Sequence, residues 1–336
     1  MKKLAISFIT YNRTRQLKEA LDIIAQPTKE YDIDIYIFDG STNANTEHIV
    51  KQYKKNEYNH IYYFRADRKL SIKDSYWSRL NSALVIPNTE YIWLCGDMFV
   101  IKPMYYSKIM SYIDKSYDII TIYGGILKGT RDFDEPNSFV DYAIVPITHF
   151  GSTIIKKKLI EQYDIKKSLE KNGSFGVQLI YLRAIVKNDF KGVVIDGGKQ
   201  VSISTKYQAK RDWLNNVWIT WLSNWYQFIC LLPDAYENIR ERLYNRIDLT
   251  IHFFSIEMLL LQRAEGKFDW KKYIECKEYV KKVIVLPGSI VFVVAILPKK
   301  IARMIYSFIC SKEYKWIRKQ ILNKFYGYRI FCSNKT

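Results

Sequence analysis

The segments LAISFITYNR at positions 4–13 and IDIYIFDGS at positions 33–41 decide the fold. Each is a short, apolar, β-branched run that ends at small or polar residues, which is typical of buried strands in a parallel sheet. A helix is predicted after the first run, because Thr10 and Asn12 can cap it and apolar residues recur at helical spacing: Leu17, Ala20, Leu21 and Ile24. A helix that carries Ile49, Val50 and Tyr53 is predicted after the second run. The chain therefore opens with two β-α units side by side.

Polar side chains follow both strands at the points where the strands end. In an open parallel sheet, ligands bind in the crevice beyond the carboxyl ends of the strands. The residues expected to face one ligand there are Thr10, Tyr11, Arg13, Asp39 and Ser41. Asp39 could accept hydrogen bonds from a uracil ring or a ribose, and Arg13 could meet phosphate. Each motif alone is also explained as an ordinary turn or cap, but their order and spacing favour a nucleotide pocket.

A third segment, NTEYIWLCGDMFVI at positions 88–101, contains an apolar strand that ends in one carboxylate, Asp97, inside the hydrophobic stretch after Glu90. A carboxylate in such surroundings is costly unless it has a partner, such as a cation or a set of hydrogen-bond donors. The sequence therefore predicts a bound cation or a group of donors at Asp97.

With these three motifs, residues 1–205 resemble the family 2 glycosyltransferases of the GT-A fold, of the bacterial cell-surface and capsular polysaccharide type. The resemblance implies an α/β fold, with a Rossmann-like, mostly parallel sheet flanked by helices. In the family, a Thr-Tyr-Asn-Arg motif borders the nucleotide, an Asp-Gly-Ser turn contacts the base, and an Asp-x-Asp motif holds a divalent metal. The matching positions here are Thr10, Tyr11, Asn12, Arg13, then Asp39, Gly40, Ser41, then Cys95, Gly96 and Asp97.

The third match implies a metal site with a single carboxylate. Cys95 replaces the first Asp of the motif, which leaves Asp97 as the one carboxylate for Mg²⁺ or Mn²⁺. Magnesium often takes one or two protein carboxylates together with substrate phosphates and waters, whereas a thiol is a poor ligand for it. The resemblance also makes Arg65, Lys73 and Arg79 candidates for contact with the diphosphate, although a solvated charged face explains them equally well.

The acceptor side lacks the family's acidic pair. The segment THFGSTIIKK at 148–157 resembles the family's glycine turn that contacts the donor sugar, through Gly151. Further on, Val177 and Gln178 stand where many relatives have the acidic pair whose Asp is the general base. Gln178 can hydrogen-bond a sugar hydroxyl but cannot take its proton.

A base is therefore expected from the stretch 124–141, which is polar, acidic and punctuated by glycines, as a loop over an active site would be. The candidate bases are Asp132, Asp134 and Asp141, with His149 behind them. Each of the three acids is also explained as an ordinary surface residue of a flexible loop.

Composition restricts the class of protein. A hydrophobic fraction of 48% in 336 residues excludes a disordered chain and suits a full α/β domain with a helical appendage. The five cysteines are widely spaced, odd in number and match no metal or disulfide pattern, which favours a reducing compartment. No signal-peptide pattern precedes the first strand, so this end is expected to be cytoplasmic. The predicted regions are 1–205 (catalytic), 206–282 (helical and aromatic-rich) and 283–336 (membrane-associating).

The middle region carries an aromatic stripe at helical spacing. A break is predicted at LLPD, positions 231–234, before the next helix begins. Such a stripe favours a helix–helix core, with a platform for sugar stacking as the alternative. Its members are Trp213, Trp218, Trp221, Trp225 and Tyr226.

The formal charge of +18 is concentrated at the end of the chain. Residues 299–336 contain ten lysines and arginines against one acid, Glu313, interleaved with aliphatic and aromatic residues. The preceding apolar run, 283–298, is shorter than the roughly 20 residues of a spanning helix and is broken by Pro287 and Gly288. We therefore expect an in-plane or re-entrant attachment to an anionic membrane at the cytoplasmic face. Nucleic-acid binding and a helical pair packed on the domain are the alternatives, and the long aliphatic run favours the membrane.

The sequence thus predicts transfer of a sugar from a nucleoside-diphosphate donor, UDP-linked, to a glycan or lipid-linked oligosaccharide acceptor in surface polysaccharide synthesis, with inversion as the resemblance implies. No nucleic-acid partner is expected. Two other classes remain open: a catalytically inactive GT-A domain that acts as a membrane-bound assembly partner, and a basic nucleic-acid-binding protein. A nucleotidyltransferase is disfavoured, because no glycine-rich phosphate loop follows the first strand.

Overall fold

The computed structural model describes residues 1–67, 69–97, 99–124, 129–164, 167–168, 175–197, 201–202 and 216–311. The chain forms two compact units, one of Met1–Lys210 with Gln227–Leu243 and one of Arg211–Tyr226 with Tyr244–Thr336. The division into catalytic, aromatic-rich and membrane-associating regions stays a prediction.

The first unit is an eight-stranded sheet flanked by helices, in the strand order β3-β2-β1-β4-β8-β6-β9-β7. The pairs β1/β2, β1/β4, β2/β3 and β6/β9 are parallel, and antiparallel pairs are made by β8 and by the edge strand β7. The predicted α/β class with a mostly parallel sheet is confirmed. Two short strands, β5 and β10, pair separately.

The elements of this unit follow one another as β1 (Lys2–Thr10), α1 (Thr14–Glu30), β2 (Asp34–Asp39), α2 (Asn45–Lys55), β3 (Ile61–Arg65), α3 (Ile72–Leu84), β4 (Thr89–Gly96), β5 (Phe99–Val100), α4 (Tyr106–Asp114), β6 (Ile119–Tyr123), β7 (Arg131–Phe133), α5 (Pro136–Ile147), β8 (Thr153–Lys156), α6 (Lys157–Ile160), α7 (Gly176–Ala184), β9 (Gly192–Asp196) and β10 (Val201–Ser202). After α8 (Trp225–Cys230), which begins in the second unit, a 3-10 turn (Asp234–Tyr236) and α9 (Glu237–Leu243) complete it.

The opening β-α unit forms as predicted, except for its cap. The apolar residues of α1 that recur at helical spacing are all buried against the sheet. The predicted capping by Thr10 and Asn12 is wrong, because α1 begins at Thr14 and the residue before it, Arg13, makes no side-chain cap. Thr10 is the last residue of β1, and Asn12 adopts a left-handed conformation with φ +54°. Both polar side chains are directed to neighbouring loops instead.

The stretch 124–141 contains regular structure, although it was expected to be a loop. It includes β7, which pairs antiparallel with β9, and the first half of α5. Phe133 and Phe139 are buried, with ring centroids 5.6 Å apart, so apolar packing orders a segment whose overall composition is polar. Residues 125–128 of this stretch lie outside the described residues.

The register of the sheet brings the predicted motifs together. Thr10 pairs with Asp39, Asp39 pairs with Arg65, and Ile9 pairs with Gly96. Because these strands are parallel, β3, β2, β1 and β4 all end at one edge, which we call the carboxyl edge. The parallel strands β6 and β9 also end there, and they begin at the opposite, amino edge.

The second unit is helical. It contains a π-helical segment (Trp218–Asn224), the first residues of α8, and then α10 (Arg246–Ile251), α11 (Ile256–Ala264), α12 (Trp270–Val283), α13 (Gly288–Ile296) and α14 (Lys299–Cys310). No helix in the described part of the chain has the length and apolar character required to span a bilayer.

Two residues of the predicted aromatic stripe, Trp218 and Trp225, are core. Trp218 stacks on Phe268 with ring centroids 4.3 Å apart, and its indole N–H donates to Gln262 Oε1 at 2.6 Å. Trp225 is buried, and its indole N–H donates to the carbonyl of Tyr244 at 2.7 Å. Helix α8 ends at Cys230, at the predicted break. Trp213 lies outside the described residues.

Asp248 organises the backbone of the second unit. It is 4% exposed, and its two carboxylate oxygens accept hydrogen bonds from the backbone N–H groups of Phe254, at 3.0 Å, and Val285, at 2.9 Å. Because a buried donor that loses its acceptor keeps its full desolvation cost, Asp248→Ala is expected to lower the free energy of unfolding by about 1–3 kcal/mol. The free energy of unfolding of Asp248→Asn should lie between those of the wild type and Asp248→Ala, since the amide retains one acceptor oxygen.

Denaturant unfolding followed by circular dichroism measures this effect. Glu278→Ala is the matched control, because its side chain is 80% exposed and pairs only with Lys281 across one turn of α12. An Asp248→Ala protein that unfolds at the same denaturant concentration as Glu278→Ala would show that the two hydrogen bonds do not stabilise this unit.

Candidate active site

Asp97 follows β4 directly and is the centre of the carboxyl edge. Its side chain is held by two residues of β1 and the following loop: Thr10 Oγ1 donates to Oδ2 at 3.0 Å, and Arg13 Nη1 donates to Oδ1 at 3.2 Å. The residue is only 4% exposed, and burial raises the pKa of its carboxyl group against the opposing effects of Arg13 and Thr10. The buried carboxylate therefore has the donors that the sequence predicted, on the neighbouring strand.

Asp39 ends β2 and is fully buried. Its Oδ1 accepts the backbone N–H of Ser41 at 2.8 Å, and its Oδ2 accepts the hydroxyl of Tyr63 at 2.9 Å. Burial and this hydrogen bond raise the pKa of Tyr63, so the phenol stays protonated and acts as a donor. Each carboxylate oxygen has a second acceptor position, which leaves Asp39 able to bind a further donor.

The loops after β1 and β2 are joined to each other. The backbone N–H of Asn12 donates to Ser41 Oγ at 2.8 Å, and Asn12 Oδ1 accepts the backbone N–H of Thr42 at 3.0 Å. The left-handed backbone of Asn12 places both of its groups toward the second loop. Tyr11, between the strand and this bridge, is 37% exposed. These contacts hold the two predicted nucleotide motifs in a fixed relation.

Arg79, from α3, supports both loops from below. It is 5% exposed, and its Nη1 donates to the carbonyl oxygen of Thr10 at 2.6 Å. A Cβ atom at Gly40 would lie 2.7 Å from Arg79 Cζ, so a larger residue there would require the guanidinium to shift. Burial lowers the pKa of Arg79, and the charge of Asp39 opposes that effect. The structure thus places this diphosphate candidate beneath the loops, with its donors directed to backbone.

The other two basic candidates lie at the same edge. Arg65 Nη2 donates to the carbonyl oxygens of Ser41 at 3.0 Å and Asn43 at 2.7 Å, so it orders the loop after β2. Lys73 is exposed in the first turn of α3. Of the two, Lys73 has the more accessible charge.

The turn at 148–151 closes against the end of β4. Gly151 has φ +90°, a conformation that favours glycine. Its N–H donates to the carbonyl of Leu94 at 2.9 Å, and its own carbonyl accepts the indole N–H of Trp93 at 2.8 Å. The position of a Cβ on Gly96 is 3.7 Å from Phe150 Cβ. The predicted sugar-contacting turn is therefore next to the predicted metal motif.

Beside this turn is a small cavity of about 10 Å³, enough for one water molecule. Gln178 and Tyr181 line it and are each 3% exposed. Neither Gln178 Oε1 nor the Tyr181 hydroxyl has a hydrogen-bond partner among the described residues. Because a buried polar atom without a partner is costly, these two groups mark a place where a polar ligand group can bind.

His149 lines the same cavity, with its ring centroid 5.6 Å from that of Tyr123 at the end of β6. Its Nδ1 lies 3.3 Å from the carbonyl oxygen of Val145, an arrangement that assigns the ring proton to Nδ1 and leaves Nε2 as an acceptor. Burial lowers the pKa of the imidazole, so the neutral form prevails at neutral pH. This corner of the carboxyl edge therefore holds an unprotonated ring nitrogen beside two unsatisfied polar groups.

Residues 6–164 match the family model described as Glycosyl transferase family 2. This segment is a family 2 glycosyltransferase domain. None of the curated proteins compared with the sequence matches it significantly.

Solved structures support the fold of the glycosyltransferase. The crystal structure of S. aureus TarS 1-349 has 16% sequence identity and a TM-score of 0.53, over 84% of this chain and 81% of that chain. The complex of TarS 1-349 with UDP has 16% identity and a TM-score of 0.52, over 84% and 83% of the two chains. The UDP-GlcNAc complex has 17% identity and a TM-score of 0.50, over 86% and 82%. At these identities the likeness shows the GT-A-like fold.

The glycosyltransferase's side chains fit a cation that is held largely by the donor's diphosphate. In the described residues there is no group of three or more His, Cys, Asp and Glu side chains that could hold a metal ion. Cys95 is 4% exposed within the hydrophobic core, and burial raises the pKa of its thiol, so it offers no thiolate. Asp97 is then the one carboxylate that the Cys-Gly-Asp motif supplies, which suits Mg²⁺ with phosphate and water ligands.

The candidate bases of the glycosyltransferase lie in different places. Asp132 and Asp134 line a surface pocket of about 600 Å³ with Lys115 and Lys191. The Tyr117 hydroxyl donates a hydrogen bond to Asp132 Oδ1 at 2.9 Å. This pocket is at the amino edge, because β7 pairs with the first residues of β9. The structure therefore does not bring Asp132 and Asp134 to Asp97.

Asp141 and His149 belong to α5 and the turn that follows it. Asp141 lies in the middle of α5, and its Oδ2 is 3.5 Å from Arg242 Nη2. His149 follows the end of the helix and is the candidate that lines the cavity of Gln178 and Tyr181.

Two contributors were missed in the sequence, and both had a signal. Tyr63 precedes Arg65 by two positions on β3, so both side chains are on the same face and reach the turn after β2. Tyr181 follows Gln178 by three positions on α7, and such residues are neighbours on a helix surface.

Proposed function

We propose that this glycosyltransferase transfers a sugar from a UDP-linked donor to a hydroxyl group of a glycan or lipid-linked oligosaccharide acceptor, with inversion, in surface polysaccharide synthesis. The observation that carries the proposal is the pair of buried carboxylates at the ends of β2 and β4, Asp39 and Asp97, each held by donors from neighbouring strands. The UDP and UDP-GlcNAc complexes of TarS 1-349 support the choice of a uridine donor.

The donor lies along the carboxyl edge in this proposal. Asp39 is fully buried in the structure, so in this proposal the loop after β2 moves as the donor binds, and the free acceptor positions of Asp39 then bind the uracil N3–H or the ribose hydroxyls. Arg13, whose side chain is half exposed, binds the diphosphate. Asp97 would hold Mg²⁺ or Mn²⁺, which neutralises charge on the leaving diphosphate as a Lewis acid. Lys73 adds positive charge from the exposed side of the cleft.

The acceptor hydroxyl binds at the cavity beside Gly151. Gln178 Oε1 and the Tyr181 hydroxyl, which have no partners among the described residues, orient it. The acceptor oxygen forms a bond to the anomeric carbon while its proton passes to His149 Nε2, and the bond from that carbon to the diphosphate oxygen breaks with its electron pair on UDP. A positioned base is needed because the attacking oxygen becomes acidic only as the bond forms. His149 thereby takes the role of the missing acidic pair.

Calorimetric titration with UDP, GDP and CDP, in the presence of Mn²⁺, tests the donor class. We expect UDP to bind with a dissociation constant at least about tenfold below that of CDP, because N3 of uracil carries a proton to donate to Asp39, whereas N3 of cytosine is an acceptor that would face the carboxylate unpaired. GDP or CDP binding tighter than UDP would contradict the uridine assignment. Absence of binding for all three would contradict the transferase proposal and leave two alternatives, an inactive GT-A domain and a nucleic-acid-binding protein.

A further inference from the structure

The two last described helices of the second unit expose an unusual amount of apolar surface. No charged residue occurs between Lys282 and Lys299. A third of the large hydrophobic side chains that are exposed in the described residues fall between positions 285 and 308. We call this set the docking face: Val285 (51% exposed), Ile290 (39%), Val293 (50%), Ile296 (51%), Ile301 (40%), Met304 (66%) and Phe308 (55%).

Each helix is apolar on two sides. In α13, Val291, Val294 and Ala295 are buried against the unit, whereas the docking-face residues, at intervals of three, share the outer side. In α14, Ala302 is buried, and the docking-face residues recur at three and four positions on the outer side. Helix α13 is hydrophobic all round, and such a helix is normally covered on every side, so its outer side requires a further apolar environment. Helix α14 continues this apolar surface beside its exposed charged residues.

Positive charge lies next to the docking face. Lys299, Lys300 and Arg303 are all exposed in the first half of α14. Arg303 Nη2 donates to the carbonyl of Ala264 at 3.3 Å, which fixes the guanidinium at the end of α11. The sequence after the described residues, 312–336, adds seven lysines and arginines and one glutamate. Apolar residues beside clustered cations are the combination by which a helix binds in the interface of an anionic membrane.

We infer that the outer sides of α13 and α14 dock in the plane of an anionic lipid bilayer. The docking face enters the boundary between headgroups and acyl chains, and Lys299 and Lys300 contact lipid phosphates. A soluble protein partner is disfavoured by the charge, since it would need a matching acidic rim around an aliphatic patch. This inference is independent of the donor chemistry proposed above.

Cosedimentation of the full chain with vesicles tests the inference, using phosphatidylcholine alone and equal parts of phosphatidylcholine and phosphatidylglycerol. The wild-type protein should sediment with the anionic vesicles and stay in the supernatant with the neutral ones. The double variant Met304→Ser/Phe308→Ser should lose at least about tenfold in partitioning, because two large apolar side chains no longer enter the bilayer. Lys300→Glu, a substitution at an exposed position, should weaken binding to the anionic vesicles and salt should do the same.

Ile274→Ser is the matched control, because Ile274 is 48% exposed on α12 of the same unit and outside the docking face. Equal binding by wild type and double variant, or an equal loss in Ile274→Ser, would overturn the inference. Gel filtration in the absence of lipid adds a further outcome: a wild-type oligomer that dissociates in the double variant would assign the docking face to a second copy of the chain and overturn the membrane assignment.

Discussion

His149→Asn should lower the rate of UDP release from UDP-GlcNAc by about 10²–10⁴-fold, the usual contribution of a general base. The substitution is chosen because the Asn amide can still donate to the carbonyl of Val145, as His149 Nδ1 does, while Nε2 is lost. The affinity for UDP should stay within about twofold, since His149 is assigned to the acceptor and not to the nucleotide. Hydrolysis of the donor, with water as acceptor, provides the readout without knowledge of the glycan.

The pH profile distinguishes a base from a structural residue. Burial lowers the pKa of His149 from its ordinary 6.5, and the imidazole acts as a base only when it is neutral. The wild-type rate should therefore be constant through neutral pH and fall only as the pH drops below 6.5, through the lowered pKa. His149→Asn should remove this acid limb together with most of the rate.

Asp132→Asn and Asp141→Asn are the controls, because they alter candidate bases that lie at the amino edge and in the middle of α5. Both should retain the wild-type rate and its pH profile. A rate that survives in His149→Asn and disappears in Asp141→Asn would reassign the base. A wild type that binds UDP and releases none from any of a panel of UDP-sugars, UDP-GlcNAc included, would instead support the alternative of an inactive GT-A domain.

The strands that form the carboxyl edge could be predicted, because the signal for each strand lies within its own short segment of sequence. β1, β2, β4 and β6 are short strands rich in buried apolar residues, and parallel strands necessarily end at one edge, so Thr10, Asp39 and Asp97 were placed together correctly. The C-terminal ends of these strands carry the polar residues that make the site.

The candidate bases could not be placed from the sequence, because their position depends on long-range pairing. Asp132 lies on an edge strand whose antiparallel register with β9 carries it to the amino edge. The composition of 124–141 indicated a loop, but two phenylalanines, Phe133 and Phe139, are enough to bury one side of it. Chain proximity to the active site was therefore a poor guide to spatial proximity.

Arg79 shows the same limit for charged residues. In sequence it belongs to a basic, polar stretch, for which a solvated surface or a phosphate contact was expected. In the structure Arg79 is 5% exposed, because its guanidinium packs beneath Gly40 and its Nη1 donates a hydrogen bond to the carbonyl of Thr10. A glycine in a turn signals conformational freedom, but it does not reveal which side chain will pass beneath it.

Asp97→Asn should remove the part of the UDP affinity that depends on Mn²⁺. In the wild type we expect Mn²⁺ to strengthen UDP binding by about tenfold to a hundredfold, the range of a charge-assisted contact. An amide retains the acceptor for the Thr10 hydroxyl but has no negative charge for a cation. The metal-free affinity should be retained or increased, because Arg13 no longer has a carboxylate partner and can bind the diphosphate. Calorimetric titration with and without Mn²⁺ measures both quantities.

The thermal stability of the variant separates this result from a folding defect. Burial raises the pKa of Asp97, which means that the folded protein disfavours the charged form, so an uncharged side chain of the same shape should not lower the melting temperature. Asp132→Asn, at the amino edge, should keep the full effect of Mn²⁺. If Asp97→Asn also keeps the full effect of Mn²⁺ on UDP binding, residues other than Asp97 hold the cation. If the wild type binds UDP equally well without Mn²⁺, Arg13 and Asp97 form a diphosphate site that needs no metal. The Cys-Gly-Asp motif then differs from Asp-x-Asp in function as well as in sequence.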